Sequence, residues 1–265
     1  MTILQSIFLG ILQGIAEFLP VSSSGHLVLA RTVMGLEEIP ALFDVILHLA
    51  TLIVVLWVFR QRVGAILAAL GRFCVKKTQD SDRPQLILAM QILAASAITA
   101  AIGFGVEALD FRADPRMVSS LLIVTALILL LSARAAGTRN VETVGWKRFL
   151  LLGAAQGLGV FPGISRSGIT IGTGLFCGLD RQAAGEISFL LSLPAVGGAF
   201  LLTLKDAGAL GQLVPFSALV AGFVAALVAG YAALRLLLWL IADGRLWTFA
   251  LYLIPMGFWG LWYFR

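Results

Sequence analysis

The sequence predicts an all-α integral membrane protein, with six transmembrane helices plus two re-entrant broken-helix segments arranged as an inverted-topology repeat. Three observations carry that expectation. Of the 265 residues, 60% are hydrophobic and only 12% charged, and the mean hydropathy is +0.98, well outside the range of water-soluble domains. Six apolar runs approach the roughly 20 residues needed to cross a bilayer. Finally, a shift of 143 residues lays Gly10, Gln13, Gly14, Phe18, Ser22, Ser24 and Gly25 on Gly153, Gln156, Gly157, Phe161, Ser165, Ser167 and Gly168, seven identities in sixteen ungapped positions.

The elements follow in chain order. A first apolar stretch, about 2 to 35, is interrupted by Pro20 and the run "SSSG" at 22 to 25, and it reads as two half-helices rather than one span. Its first 30 residues hold no Lys or Arg, so the basic start of a cleaved leader is missing and the N-terminus is expected to be retained. Spans follow at about 42 to 59, 85 to 106 and 117 to 135. A second broken stretch, about 147 to 178, carries the sister motif "FPGISRSGITIG" and is followed by spans at about 184 to 204, 215 to 241 and 247 to 264. The chain is thus expected to be one membrane domain, 1 to 265, with repeat halves of about 1 to 136 and 144 to 265.

Three spans per half is an odd number, so the second half enters the membrane upside down. Charge agrees: twelve basic residues fall on one side of that topology, and five, namely Arg31, Arg112, Arg116, Lys205 and Arg265, on the other. The positive-inside rule makes the richer side cytoplasmic. Arg166 and Arg235 are left inside apolar segments. The net charge of +5 is spread over short connections, which speaks for contact with anionic lipid and against nucleic acid. Cys74 and Cys177 lack metal-ligand spacing and read as packing residues.

The chemistry concentrates in the two polar turns. Ser22, Ser24 and Gly25 in one, and Gly163, Ser165, Ser167 and Gly168 in the other, suit the start of a half-helix, where a serine cap leaves backbone N–H groups facing outward and the helix dipole adds positive charge. Such ends bind phosphate, and two brought together would take a phosphate-rich group. Arg166 adds a planar cationic fork that matches phosphate oxygens. Ser23 and His26, three apart, can share a helix face and exchange a proton. Glu17 lies one turn after Gln13, and both can point into the same cavity. Plainer readings exist: serine turns are often only caps, and a single histidine is often a packing residue. Glu17 and Arg166 differ, because a charge within an apolar segment is costly and functional by default. Asp44 and His48, four apart, are read as either a supporting pair behind the site or an interfacial anchor, with the anchor preferred. Glu186 reads as a counterpart of Asp44, and Arg235 as a residue that snorkels to the interface.

"QGIAEFLPVSSSGHL" together with "PGISRSG" resembles the bacterial undecaprenyl pyrophosphate phosphatase family, also called the bacitracin-resistance protein type. The likeness extends over nearly the whole chain in length and span pattern. It implies a multi-pass phosphatase of the bacterial inner membrane whose site faces the periplasmic side. Such an enzyme removes the terminal phosphate of undecaprenyl diphosphate and recycles the carrier lipid for peptidoglycan. It further implies a glutamate-rich motif at Gln13 and Glu17, a serine nucleophile at Ser23, a histidine at His26, an essential arginine at Arg166, and phosphate binding by Ser165 and Ser167. Many relatives carry Glu at the position of Gln13. The divalent cation that the resemblance implies, Mg or Ca, would therefore be held by Glu17 and the substrate's own phosphates. The partners implied are a polyprenyl diphosphate and membrane lipids, and a homo-oligomer is compatible with the pattern. The alternative is a polyprenyl-phosphate transporter or flippase, for which inverted repeats are equally natural. A soluble nucleotide-binding protein is excluded, since no Walker-type or GxGxxG segment is present.

The charge asymmetry and the repeat make a direct prediction about topology. Cysteines introduced at 37 to 40 should react with an impermeant reagent on intact cells, and those introduced at 76 to 82 should not. Equal labelling of the two segments would refute the inverted arrangement.

Overall fold

A computed structural model describes residues 1–36, 38–108, 114–135 and 137–265. Arg112, counted above with the less basic side, residue 136, given as the end of the first half, and Glu37, within the labelling segment, lie outside the described residues. The chain forms α1 (Ile3–Phe18), α2 (Ser23–Met34), α3 (Ala41–Val58), α4 (Arg60–Cys74), α5 (Arg83–Ala108), α6 (Pro115–Ser132), α7 (Trp146–Leu158), α8 (Arg166–Phe176), α9 (Arg181–Thr203), α10 (Ala207–Leu213), α11 (Phe216–Ala242) and α12 (Ala250–Tyr263).

Local chemistry sets the ends of these helices. Thr2 and Gln5 form a reciprocal capping box at the start of α1, and Pro20 follows its end, where a helix cannot continue. Gly35 closes α2 in the left-handed conformation, with φ 63°, a backbone state that glycine reaches without steric cost. Asp114 caps α6 with Pro115 in the first helical position. Asp180 caps α9 by accepting a 2.7 Å bond from the Ala183 N–H.

Among the described residues, five helices are long and apolar enough to cross a membrane: α3, the Asp80–Val106 segment containing α5, α6, α9 and α11. The all-α membrane architecture expected from the sequence is thus present. The sixth expected span differs in form, because α12 has only 14 residues and is preceded by a 3₁₀ turn at Leu246–Phe249. The two together reach roughly 29 Å at about 1.5 Å per α-helical and 2.0 Å per 3₁₀ residue, comparable with a hydrocarbon core of roughly 30 Å. The connection after α3 holds a helix the sequence reading left as a loop: α4 buries Ile66 and Ala69 and exposes Leu67 and Phe73. Its arginines obscured an apolar face at helical spacing.

Each broken segment is a helix pair, α1–α2 and α7–α8, and each pair packs against a helix of the other half. α1 runs along α11 and α7 along α5, while α3 packs on α9 and α6 on α12. Close approach explains the repeated glycines. A methyl on Gly10 would overlap the Gly222 carbonyl, and one on Gly14 would meet Ala226 and Gly230. Gly153 lies in the same way against Ala95, and Gly157 against Ile102. Small residues let helix backbones touch, and in lipid van der Waals contact is the main attraction between helices. The core is apolar, but so is the outer face: Leu4 and Phe216 are 78% and 79% exposed, whereas Ser6 and Gln13 are fully buried.

The α1–α11 contact should be sensitive to a single carbon. Gly10→Ala is expected to destabilise the protein by about 1–3 kcal/mol through overpacking, read as a lower Tm in detergent. Gly64→Ala, in α4 where nothing lies within 4 Å, should leave Tm unchanged or raise it, since alanine is the better helix former.

Candidate active site

The first residues of α2 and α8 meet inside the bundle. Ser22 caps α2 by accepting from the Gly25 N–H at 3.3 Å, and the same hydroxyl reaches the other turn, accepting from Gly163 N–H at 3.0 Å and donating to Ile164 O at 3.3 Å. Ser22 has φ 70°, a conformation costing a non-glycine residue about 1–3 kcal/mol, and such residues cluster at functional sites. In the sister turn, Ser165 accepts from Gly168 N–H at 3.1 Å, and Ser167 donates back across to Phe18 O at 3.3 Å. Thr125 of α6 steadies this turn, donating to Gly163 O at 2.9 Å and accepting from Ser165 N–H at 3.0 Å. Gly25 has no side chain because one would press into the Gly163 backbone, and Gly163 itself needs φ 103°.

The repeat lays Ser23 on Arg166, and each is the first residue of its half-helix. Both side chains converge on Glu17. The Ser23 hydroxyl donates to Glu17 Oε2 at 2.6 Å, and Arg166 Nη2 donates to Glu17 Oε1. Gln13 Nε2 donates to Oε2 at 3.0 Å. That bond fixes the amide orientation, because turning Gln13 over would set its oxygen against the carboxylate. Two buried atoms here have no partner among the described residues: Arg166 Nη1 and Gln13 Oε1. The first is a cationic donor and the second a hard oxygen acceptor. A cavity of about 300 Å³ lies over the group, lined by Glu17, Ser23, Ser24, Arg166 and Ser167 among others.

Sequence reasoning placed Gln13, Glu17, Ser22, Ser23, Ser24, Gly25, Gly163, Ser165, Arg166, Ser167 and Gly168 around this cavity or in the turns beneath it, and the structure brings these together. His26 is arranged differently from the expected Ser23–His26 pair. Its Nδ1 lies 2.9 Å from Ser22 O and its Nε2 2.7 Å from the Tyr252 hydroxyl of α12, and the two rings stack. Helical spacing gave the right face, but the ring turns back to its own cap and to α12, so Ser23 is left to Glu17.

His48 departs from the preferred reading as an interfacial anchor. Its Nε2 lies 3.2 Å from Glu17 Oε2, its Nδ1 2.7 Å from Asp44 O, and it lines the cavity. The ring thus has an oxygen beside each nitrogen. Asp44 instead binds Arg31 at 2.5 Å, and Glu186 binds Arg62 at 2.5 Å. The signal for His48 was its place as an ionisable residue inside an apolar span. Tyr252 and Thr125 carried no such signal.

The arrangement comprises a hydroxyl with a proton acceptor, a guanidinium with a free N–H face, and two helix N-termini directed at one small volume. These are the parts of a phosphate-handling site. Residues 6–259 match the family model described as bacitracin resistance protein BacA. A protein of Treponema denticola named undecaprenyl-diphosphatase is 44% identical, with 98% of this chain and 99% of that protein covered. A second of the same name, from Desulfosudis oleivorans, is 42% identical over 98% of this chain and 97% of its own length. A third, from Methanobrevibacter smithii, is 39% identical over 97% and 96%. On this agreement of motif, site and full-length likeness, the chain belongs to the bacitracin resistance protein BacA family.

Proposed function

We propose that the protein hydrolyses undecaprenyl diphosphate to undecaprenyl phosphate and inorganic phosphate. The Ser23–Glu17 bond carries this reading, since it puts a hydroxyl nucleophile on a carboxylate base beside a guanidinium. The substrate comes from the relatives' shared name. Ser23 Oγ attacks the terminal phosphorus as its proton passes to Glu17 Oε2. The bridging P–O bond breaks, and prenyl phosphate leaves with the electron pair and takes up the proton from Glu17. Water then attacks the phosphoserine, Glu17 accepts its proton and returns it to Ser23 Oγ, and inorganic phosphate departs. Arg166 Nη1 and the N–H groups of the two half-helix ends hold the phosphoryl oxygens throughout. His26 acts as a positioning residue, fixing the Ser22 carbonyl and hence the turn that presents Ser23.

A divalent cation, Mg or Ca, suits the same corner. Gln13 Oε1, without a partner among the described residues, and Glu17, in exchange for one of its present donors, would hold it, and substrate phosphates would complete its shell, as is usual for Mg. When bound it would neutralise charge on the diphosphate. The excess of Lys and Arg on one side of the topology supports placing the site on the outer face of the bacterial inner membrane. A transporter of the same lipid would need the pocket and the cations, but not a serine hydroxyl on a carboxylate.

Two experiments on purified protein test this assignment. Ser23→Ala and Glu17→Gln should each abolish phosphate release from undecaprenyl diphosphate while leaving lipid diphosphate bound. Near wild-type turnover by Ser23→Ala would refute the covalent route. Arg166→Lys keeps the charge but loses the fork, so kcat should fall by about tenfold to a thousandfold, with KM changing less. A rise in KM alone would reduce Arg166 to a binding role.

A further inference from the structure

A second, larger space opens beside the polar cavity. Between α5 and the later part of α9 runs a groove of about 740 Å³, within the roughly 300–1,000 Å³ of pockets that enclose small organic ligands. Val160, Ala195 and Ala199 line both spaces, so the groove begins at the wall of the cavity that holds Arg166. Val160 is the residue that the repeat sets opposite Glu17. Where one half places its carboxylate, the other has an apolar side chain, and the polar site gives way to an apolar one.

The groove is built to be apolar and wide. Its hydroxyls are occupied internally: Ser96 donates to Ile92 O at 2.8 Å and Thr99 to Gly153 O at 2.9 Å. The α9 wall is the segment "PAVGGA", 194 to 199. Pro194 gives up a helix hydrogen bond there, and nothing lies within 4 Å of a carbon added at Gly198. On the α5 side, a carbon added at Gly103 would meet only Val160, at 3.8 Å. Phe104 and Leu202, both more than half exposed, flank the groove.

We propose that this groove receives the substrate's prenyl chain beyond its first isoprene unit, and that Gly103 and Gly198 set the width which admits a methyl-branched chain. The inference rests on the phosphatase reading above. A diphosphate held at Arg166 is tethered to a tail that cannot stay in a polar cavity, and the groove is an apolar path continuous with that cavity. Its place also orders the substrate, with the terminal phosphate toward Ser23 and the tail-bearing phosphate toward Val160.

Leucine is a better helix former than glycine, so Gly198→Leu narrows the groove without threatening the fold. Gly105→Leu adds the same bulk to α5 where nothing lies within 4 Å and serves as the control. Phosphate release is measured with isopentenyl, farnesyl and undecaprenyl diphosphates. Gly198→Leu should lower kcat/KM for the farnesyl and undecaprenyl substrates by about tenfold or more, leave isopentenyl diphosphate unchanged, and differ from Gly105→Leu, which should match wild type on all three. If Gly198→Leu changes all three substrates equally, or none, the groove holds only bulk lipid chains and the proposal is overturned. Failure of the phosphatase reading would look different, because wild-type protein would then release no phosphate from any of them.

Discussion

The hydroxyl of Ser22 holds together the two places where the backbone stops being helical inside the protein. A chain that leaves the helix within a bilayer must find internal partners for its N–H and C=O groups, each of which costs several kcal/mol if left bare in hydrocarbon. Ser22 caps its own helix and also bonds to Gly163 and Ile164 of the sister turn, while Ser167 returns a bond to Phe18 O. Each turn is therefore satisfied in part by the other, and Thr125 of α6 completes the second. The strained conformation of Ser22 persists because these bonds over-determine it, and Ser23, next in the chain, takes its direction from that strain.

Symmetry of backbone with asymmetry of side chain makes the site work. The repeat gives two equivalent helix ends, but one begins with Ser23 and the other with Arg166, so a hydroxyl and a guanidinium meet the same carboxylate. Glu17 ties the two together, and its counterpart Val160 does not. Gln13 and Gln156 show the same divergence: Gln13 donates to the carboxylate, whereas Gln156 donates to the Thr99 hydroxyl and the Leu191 carbonyl.

Much of this was legible in the chain itself. The all-α membrane class, the two broken segments and the two serine turns follow from hydropathy and from the 143-residue repeat, because lipid leaves few solutions for such patterns. Glu17, Ser23 and Arg166 stood out as polar groups that an apolar segment has no other reason to carry. What escaped were features that depend on how helices rotate against one another. Helical spacing paired Ser23 with His26, but the rotamer that satisfies Ser22 O and Tyr252 took the ring elsewhere. His48 looked like a boundary residue because its partner lies 31 positions earlier, on a helix whose orientation no local pattern records.

The exchange of helices between halves has a consequence for biosynthesis. α1 is the first helix made, yet its packing partner α11 begins at Phe216, and the bond from Ser6 to the Ala218 carbonyl closes a loop of 212 positions. At about 5–20 residues per second of translation, the two are separated by roughly ten to forty seconds. During that interval α1 sits in the membrane with Ser6 lacking its Ala218 partner, and Arg166, which bonds to Glu17, is absent for most of it. A nascent chain short of α11 thus lacks the helix along which α1 packs. The last long helix to emerge from the ribosome therefore closes the structure around a cavity whose lining residues were all made before it.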